Sequence, residues 1–518
     1  MTKASAARDF GIDAASVLLL FGVGAHLRLG RLGAALVNGD SVGPYWKAAT
    51  ILGGAGWLPR SHAPESGPAL YWAYVPFVAL ADSLEDAYAA RFVAQALVGP
   101  LSYLAVRALT AGPLPATSRA VALAAGASLT FSAGLRQTLE SGYQGYLSIE
   151  LAAVVVAAFA LAARRPGWAG AGLVAVPLAM MCHPLAVAYL LPALVLAAVA
   201  FRKAGPRSRL GIATGLLVAA GLGVLRLRQL AEPAFDSGTF DPSALAAIPG
   251  GNATGEGGLA TVLASLGGIP DHDGAGWLLL LALLVPAALV KRARPAVAAA
   301  AGVVLGLAAT GAAMDYLQPY HWRIAAPAVV TAVAVAATYV VGPRGPAWMV
   351  AVPAAAVLLA GALPWGPPAP TPADHARIAS VAQQTSRGGW VEFGTAGDRM
   401  WGSPVAVRLE QSLRLGGVAS EGPVHLLIAG PEALLNTIRA VPGDVEVLDL
   451  LPGDPALLLV ALDDPRGSSA WTKAVCEVAP RFRIERRAID YLRIERPDLP
   501  EAFISMWWDA CTGANVGW

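Results

Sequence analysis

A polytopic α-helical membrane protein of about eleven spans, carrying a C-terminal α/β domain outside the membrane, is the fold class the sequence predicts, and three observations predict it. Of 518 residues, 56% are hydrophobic and only 14% charged, and the mean hydropathy is +0.55, a balance that soluble and disordered chains do not sustain. Eleven stretches are long and apolar enough to span a hydrocarbon core roughly 30 Å thick, which takes roughly 20 helical residues. The charges are also uneven: residues before about 365 hold 23 basic and 16 acidic side chains, and the last 153 hold 14 and 19. The first part suits lipid and the second suits water. The totals, 37 basic and 35 acidic, nearly cancel to +2, which argues against nucleic acid as a partner.

The apolar stretches fall near 11–27, 92–109, 119–135, 147–163, 168–182, 184–201, 210–225, 276–290, 295–312, 324–341 and 347–363. Basic residues precede the first one, but no small-residue cleavage site follows, so it reads as an uncleaved span. The segment Pro68–Leu80 is also apolar but short, and the acidic turn Asp82, Glu85, Asp86 follows it. Laid flat on the outer surface, it leaves the later basic loops on the inner side, as the positive-inside rule prefers. Those inner loops then hold fourteen basic residues: Lys3, Arg8, Arg107, Arg119, Arg164, Arg165, the four from Arg202 to Arg209, Lys291, Arg292, Arg294 and Arg344. Of the early acids only Asp9 and Asp13 share that side. An odd number of spans puts the N-terminus in the cytoplasm and the tail outside, in a bacterial-type inner (plasma) membrane.

Two outer loops are long, about 28–91 and about 226–275, and loops of that length are usually functional or disordered. The membrane domain is expected over 1–364. A Pro-rich connector at 365–374 reads as stiff and extended, and an extracytoplasmic domain follows over 375–518. In it the strand-like runs VHLLIAG, VEVLDL and ALLLVAL alternate with Gly/Pro turns and the helix-like stretch Glu432–Ile438, the pattern of a small α/β fold. Its only two cysteines, Cys476 and Cys511, are expected to form a disulfide in an oxidising compartment, with two buried thiols as the alternative.

The ionisable groups of the membrane part cluster at one depth. Asp40, His62, Glu65, Glu140, His183, Asp271, His272, Asp273, Asp315, His321 and Arg323 all fall in or beside outer loops. A transporter is expected to place charges near the bilayer midplane, flanked by broken helices; here only Glu150 sits inside a span, about one turn deep. The layout suits an enzyme working where water meets lipid on a partly lipidic substrate. Such a site needs a base for an acceptor hydroxyl or amine, cations for an anionic leaving group, and a groove for an apolar tail.

The residues of the first outer loop carry a resemblance. It reads NGDSVGPYWKAATILGGAGWLPR from Asn38, then PESGPALYWAYVPFVALADSLEDAYAARFVAQAL from Pro64. This is similar to the GT-C superfamily of polyprenyl-phosphate-sugar glycosyltransferases, in the branch of the protein O-mannosyltransferases and the lipid A aminoarabinose transferase. There an Asp-Glu pair opens the loop, a Tyr follows, and an Ala/Leu-rich helix ends in a Gly-x-Trp-x-x-Pro-like turn; Asp40, Tyr45 and the run Gly53–Pro59 fit that order. The family continues with Glu-Lys-Pro-Pro-Leu-Tyr-Tyr-Trp and an acidic turn ending in Arg, matched by Glu65, Pro68, Tyr71, Trp72 and Arg91. The second acid of the pair is Ser41 here, the Tyr comes one residue late, and the Lys is Ser66. The run MMCHPLAVAYLLP resembles the family's Thr-Lys-Gly helix break, with His183 at the basic position, and DYLQPYHWRIAAP is similar to the Arg-Tyr stretch that opens a late span.

The resemblance implies a GT-C-like membrane domain. It implies Asp40 as catalytic base, Glu65 as an active-site acid or the ligand of a divalent metal, and His183 and Arg323 as donor phosphate ligands. Tyr45, His62, Glu140 and His321 complete the candidate set. The implied donor is a polyprenyl-phosphate-linked sugar drawn from the membrane lipid, and the acceptor, whether glycan, lipid or protein, stays open. The inferred reaction is inverting transfer on the outer face.

Each residue also has a plainer reading. Asp40 would cap the helix that starts near Pro44; Glu65 would be a solvated charge. His183 would bond a backbone carbonyl freed at the His183-Pro184 break, and Arg323 would anchor at the interface with Trp322. Tyr71, Trp72, Tyr74 and Phe77 recur at helical spacing and read as an interfacial aromatic belt. Trp507 and Trp508 suit sugar stacking or a core equally, and Asp271, His272 and Asp273 read as a solvated loop rather than a metal site. The rival for the whole chain is a transporter or lipid-handling scaffold without chemistry; the one-sided acids and the lack of internal repeats weigh against it.

Overall fold

The structure is a computed structural model, and it describes residues 3–29, 44–45, 48–49, 51–55, 68–82, 84–110, 115–131, 147–231, 258–269, 275–314, 317–342, 390–396, 424–443, 445–453, 456–462, 470–487, 505–512 and 515–516. Ten of the eleven predicted apolar stretches are helical; the eleventh, 347–363, and the Pro-rich connector lie outside the described residues. The helices are α1 (Lys3–Leu29), α2 (Pro68–Trp72), α3 (Val75–Leu80), α4 (Leu84–Ala94), α5 (Val98–Thr110), α6 (Pro115–Phe131), α7 (Leu147–Ala162), α8 (Trp168–Cys182), α9 (Leu190–Lys203), α10 (Pro206–Ala231), α11 (Leu259–Gly267), α12 (Ala275–Ala287), α13 (Arg294–Met314) and α14 (Ala326–Val341). Short 3-10 turns at Gln95–Leu97, Pro184–Tyr189 and Pro319–Ala325 lead into α5, α9 and α14. Among the described residues, six helical stretches are long and apolar enough to cross a membrane, and α7, α8 and the apolar part of α12 are shorter. The chain is a multi-pass membrane protein.

Alanine, glycine and valine dominate the buried face of the bundle, as expected where helices associate by close backbone approach rather than by exclusion of water. The α5–α6 crossing shows why. A methyl group added to Gly126 would lie 2.9 Å from the Gly99 carbonyl oxygen, and one added to Gly99 would lie 2.8 Å from that of Gly126. Neither helix can carry a side chain there. Large apolar residues such as Leu18, Leu191, Leu217 and Leu305 point outward, the inversion of a soluble surface that acyl chains demand.

Charge sits at the ends of the helices. At one end Asp13 of α1 accepts hydrogen bonds from Tyr103 Oη (2.6 Å), Arg107 Nε (3.0 Å) and Arg119 Nε (3.1 Å). Arg119 also pairs with Asp9 at 2.7 Å. Arg164, in the turn after α7, donates to the carbonyls of Ala108 and Arg107 at 2.7 and 2.9 Å, satisfying groups that the end of α5 leaves open. These are the two acids and three of the arginines that the sequence places on a single side. Sixteen residues earlier on the continuous α4–α5 path, about 24 Å away at 1.5 Å per residue, Arg91 marks the opposite end.

Among the described residues, the C-terminal region holds a seven-stranded sheet in the order β3-β4-β2-β1-β5-β6-β7. The strands are β1 (Trp390–Thr395), β2 (Val424–Gly430), β3 (Val445–Leu451), β4 (Ala456–Leu462), β5 (Arg483–Arg487), β6 (Ser505–Asp509) and β7 (Asn515–Val516). Only β1 and β2 pair in parallel; the other neighbours are antiparallel. Central β2 and β4 are buried, as their continuous apolar runs require. The edge strand β3 is partly exposed and breaks register between Val447 and Asp449, a device that discourages further pairing. Helices α15 (Glu432–Arg439) and α16 (Ala470–Val478) bring Leu435, Ile438, Trp471 and Val475 to the core. The three strand-like runs and the helix expected from sequence are all present. Strand β5, RIERR, is too charged to be read as one in advance.

Cys476 at the end of α16 and Cys511 after β6 form the expected disulfide. Closing a loop with a sequence separation of 35 restricts the unfolded chain by about 4 kcal/mol on the chain-entropy model. Cys476→Ser in the full-length protein is therefore expected to raise the protease sensitivity of the C-terminal domain while leaving the helical bundle intact. Unchanged protection in limited proteolysis would show that the bridge contributes nothing.

Candidate active site

The end of the bundle opposite the Asp13 network is assembled from helix breaks. His183 precedes Pro184, and a residue before proline is driven to extended backbone. Accordingly His183 has φ −156° and ψ 128° and terminates α8. The chain then turns through Pro184–Tyr189 into α9. The His183 ring caps that turn, its Nδ1 accepting from the Leu185 N–H at 3.3 Å. His183 is thus a break residue, but the bond shown runs from a backbone N–H to the ring and not from the ring to a freed carbonyl.

A second break is built the same way. Pro319 starts the 3-10 turn with Gln318 as its N-cap, and Gln318 and His321 form a reciprocal capping box in which His321 Nδ1 accepts the Gln318 N–H at 3.0 Å. The two histidines, remote in sequence, stand in ring contact with centroids 4.8 Å apart and planes at 55°. Because each Nδ1 accepts a backbone hydrogen, the proton of each uncharged ring belongs on Nε2. The turns are tied together by Tyr189, whose hydroxyl donates to the Ile324 carbonyl at 2.8 Å. Arg323, on the same turn as His321, is buried, as is Trp322, whose indole N–H donates to Ser265 at 2.9 Å. The interfacial-anchor reading of this pair gives way: both side chains are inside the protein.

Beside the first break lies a buried ion pair that the sequence did not single out. Arg91 Nη2 meets Glu150 Oε1 at 2.7 Å, with side-chain exposures of 4% and 16%. The guanidinium also lies over the rings of Tyr74 and Phe77, at 5.3 and 5.8 Å from their centroids. Tyr74 meets Tyr45 edge-on at 4.7 Å, and Tyr45 lies 5.6 Å from Tyr88. Tyr45, Tyr71, Tyr74, Tyr88, Leu147 and Cys182 form one packed cluster. The expectation that Tyr71 and Tyr74 form an interfacial belt is corrected here. Both are buried, because α2 packs on α8 and the Arg91 cation needs aromatic faces on the side that Glu150 leaves open. Burial pushes the Tyr74 phenol up to about 12 and raises that of Tyr45 well above its ordinary value. Both stay protonated through the neutral range, so neither serves as a phenolate base.

Of the predicted site residues, Tyr45, His183, His321 and Arg323 thus fall at one end of the bundle, linked through Cys182, which neighbours His183 in the chain and Tyr45 in the cluster. Asp40, His62, Glu65 and Glu140 lie outside the described residues, as do Asp271–Asp273 and Asp315. Arg91 and Glu150 were legible only as the end of a motif and as the one acid inside a span; their pairing was not.

The architecture is that of solved proteins. Two crystal structures of ArnT from Cupriavidus metallidurans align over most of the chain, each with a TM-score of 0.53. The apo form is 14% identical over 89% of this chain and 99% of its own, and the form bound to undecaprenyl phosphate is 16% identical over 87% and 97%. No known protein family and no curated protein matches by sequence.

Removing one partner of a buried ion pair strands the other charge, at a cost of about 3–5 kcal/mol. Arg91→Met and Glu150→Leu are each expected to lower the thermal midpoint of the detergent-solubilised protein clearly, and the double variant to recover much of the loss. Additive losses would mean that the pair is not coupled. From the helical bundle, its broken helices and the end-to-end alignment together, the chain shares the fold of these ArnT structures.

Proposed function

We propose that this protein is a membrane glycosyltransferase that moves a sugar from a polyprenyl-phosphate donor to an acceptor at the end of the bundle holding His183, His321 and Arg323. The observation that carries this is the fold, shared across nearly the whole chain with an ArnT structure bound to undecaprenyl phosphate. The two helix breaks at that end add the polar groups that such a donor requires. The phosphate sits by Arg323, whose guanidinium fork suits phosphate oxygens, and the Nε2–H groups of His183 and His321 supply further donors.

Asp40 takes the proton of the acceptor hydroxyl or amine as that atom attacks the anomeric carbon from the face opposite the phosphate. The sugar–phosphate bond breaks with inversion, and the charge released on the leaving phosphate is held by the donors just named. Tyr45, five residues beyond Asp40, is locked in the aromatic cluster over Arg91. It therefore ties the loop that carries the base to the rigid bundle. Reaction on the outer face of the inner membrane follows from the distribution of basic loops.

A divalent metal would rest on Glu65, which is outside the described residues. Among the described residues no three His, Cys, Asp or Glu side chains come together to hold one.

Asp40→Asn, with insertion verified, is expected to lose about 100- to 10,000-fold in transfer rate, the worth of a positioned general base. Full activity would remove the mechanism. Arg323→Gln is expected to lower kcat/KM about 10- to 100-fold through lost charge-assisted bonds to the phosphate. An Arg323→Gln protein that is folded and kinetically unaltered would place the phosphate elsewhere.

A further inference from the structure

A cavity of about 570 Å³ runs between α7, α9, α13 and α14, from Arg164, Lys203 and Arg292 at one end to Tyr189 and Ala328 at the other. Its walls are apolar, with Val155, Phe159, Leu196, Val303 and Val335 prominent. Its charged lining residues are three, Arg164, Lys203 and Arg292, and no carboxylate lines it.

These cations share one end. Arg164 follows α7, Lys203 closes α9 and Arg292 immediately precedes α13. Arg292 stacks its guanidinium over Tyr339, 5.6 Å from the ring centroid, near the last turn of α14. His183 lies at the far end of α8, and Arg323 lies before the first turn of α14. Because α7, α8 and α14 each run from one end to the other, the cationic mouth and the His183–His321 contact lie on opposite faces of the bundle. The cavity's deep end, at Tyr189 and Ala328, stops beneath the turns that hold those histidines.

One polar group lines the wall between these ends. Thr331 is 2% exposed, and among the described residues its hydroxyl has no hydrogen-bond partner. Eight residues before Tyr339 in a helix, it lies about 12 Å below the cationic mouth.

We propose that this cavity is a binding site for an anionic glycerophospholipid from the leaflet opposite the transfer site. The lipid phosphate sits by Lys203 and Arg292 at the mouth, and one acyl chain fills the apolar slot. A polyprenyl phosphate has the same head charge, but the proposed transfer site holds its phosphate at the opposite end of the bundle. A neutral lipid brings no net charge to Lys203 and Arg292, the two exposed cations of the mouth. Seated there, the lipid wedges α7, α9 and α14 from below, next to the segments that carry His183 and Arg323. The choice of leaflet and of lipid rests on the proposed transfer site.

The test uses the full-length protein in phosphatidylcholine nanodiscs doped with a phosphatidylglycerol that carries a photoreactive acyl chain, with cross-links mapped by mass spectrometry. Cross-links are expected in 155–166, 192–203, 295–303 and 328–335, displaced by unlabelled phosphatidylglycerol and not by added phosphatidylcholine. Lys203→Gln and Arg292→Gln, both at exposed positions, should each weaken this labelling about five-fold. Ala300→Phe, which fills the slot, should abolish it. The thermal midpoint of each variant separates lost binding from lost fold, and the two charge variants decide the matter if Ala300→Phe does not fold. Equal labelling by a photoreactive phosphatidylcholine would overturn the proposal, as would labelling indifferent to both charge variants. Preferential labelling of these segments by a photoreactive polyprenyl phosphate would overturn it too, making the slot a path for the donor tail.

Discussion

An ion taken out of water is destabilised by several kcal/mol unless a partner and hydrogen bonds replace its hydration, and this cost orders the whole helical bundle. The charged side chains of the described helices gather at two levels, about 24 Å apart along α4 and α5. At one level Asp9 and Asp13 answer Arg107 and Arg119. At the other, Glu150 answers Arg91. Between them the helices are left with alanine, valine and glycine, so they pack by backbone approach, as at Gly99 and Gly126.

The two levels differ in what the backbone does. Around Asp13 the helices end in short turns whose open carbonyls are satisfied by Arg164, and the polar inventory is consumed by structure. Around His183 and His321 the helices break at prolines, and polar side chains are drawn in to repair the breaks. A repaired break is where a membrane protein can hold a polar group in place without exposing it to lipid, and thus where a phosphate can be met. The aromatic cluster over Arg91 extends that rigid platform to Tyr45 and the loop beyond it.

The same two levels make sense of the slot beneath. Its apolar walls follow from the small residues that line the bundle, and its mouth is cationic because the basic loops converge there. The basic side chains that gather at that end of the helices also give the slot its charge.

Sequence alone determined the helices, since a run of about twenty apolar residues leaves the backbone no other way to satisfy itself in lipid. It also determined the grouping of Asp9 and Asp13 with the basic loops and the disulfide between the only two cysteines of the C-terminal domain. It marked His183, His321 and Arg323 as unusual for their surroundings. Tertiary structure alone decided that the two histidines meet and that Arg91 is matched to Glu150. It also decided that Tyr71 and Tyr74 pack inward around that cation rather than outward into the lipid headgroups. Helical periodicity fixes which residues share a face, but the face says nothing of which distant helix will cover it. For a charge in a low-dielectric interior, that covering partner is the larger part of the energy.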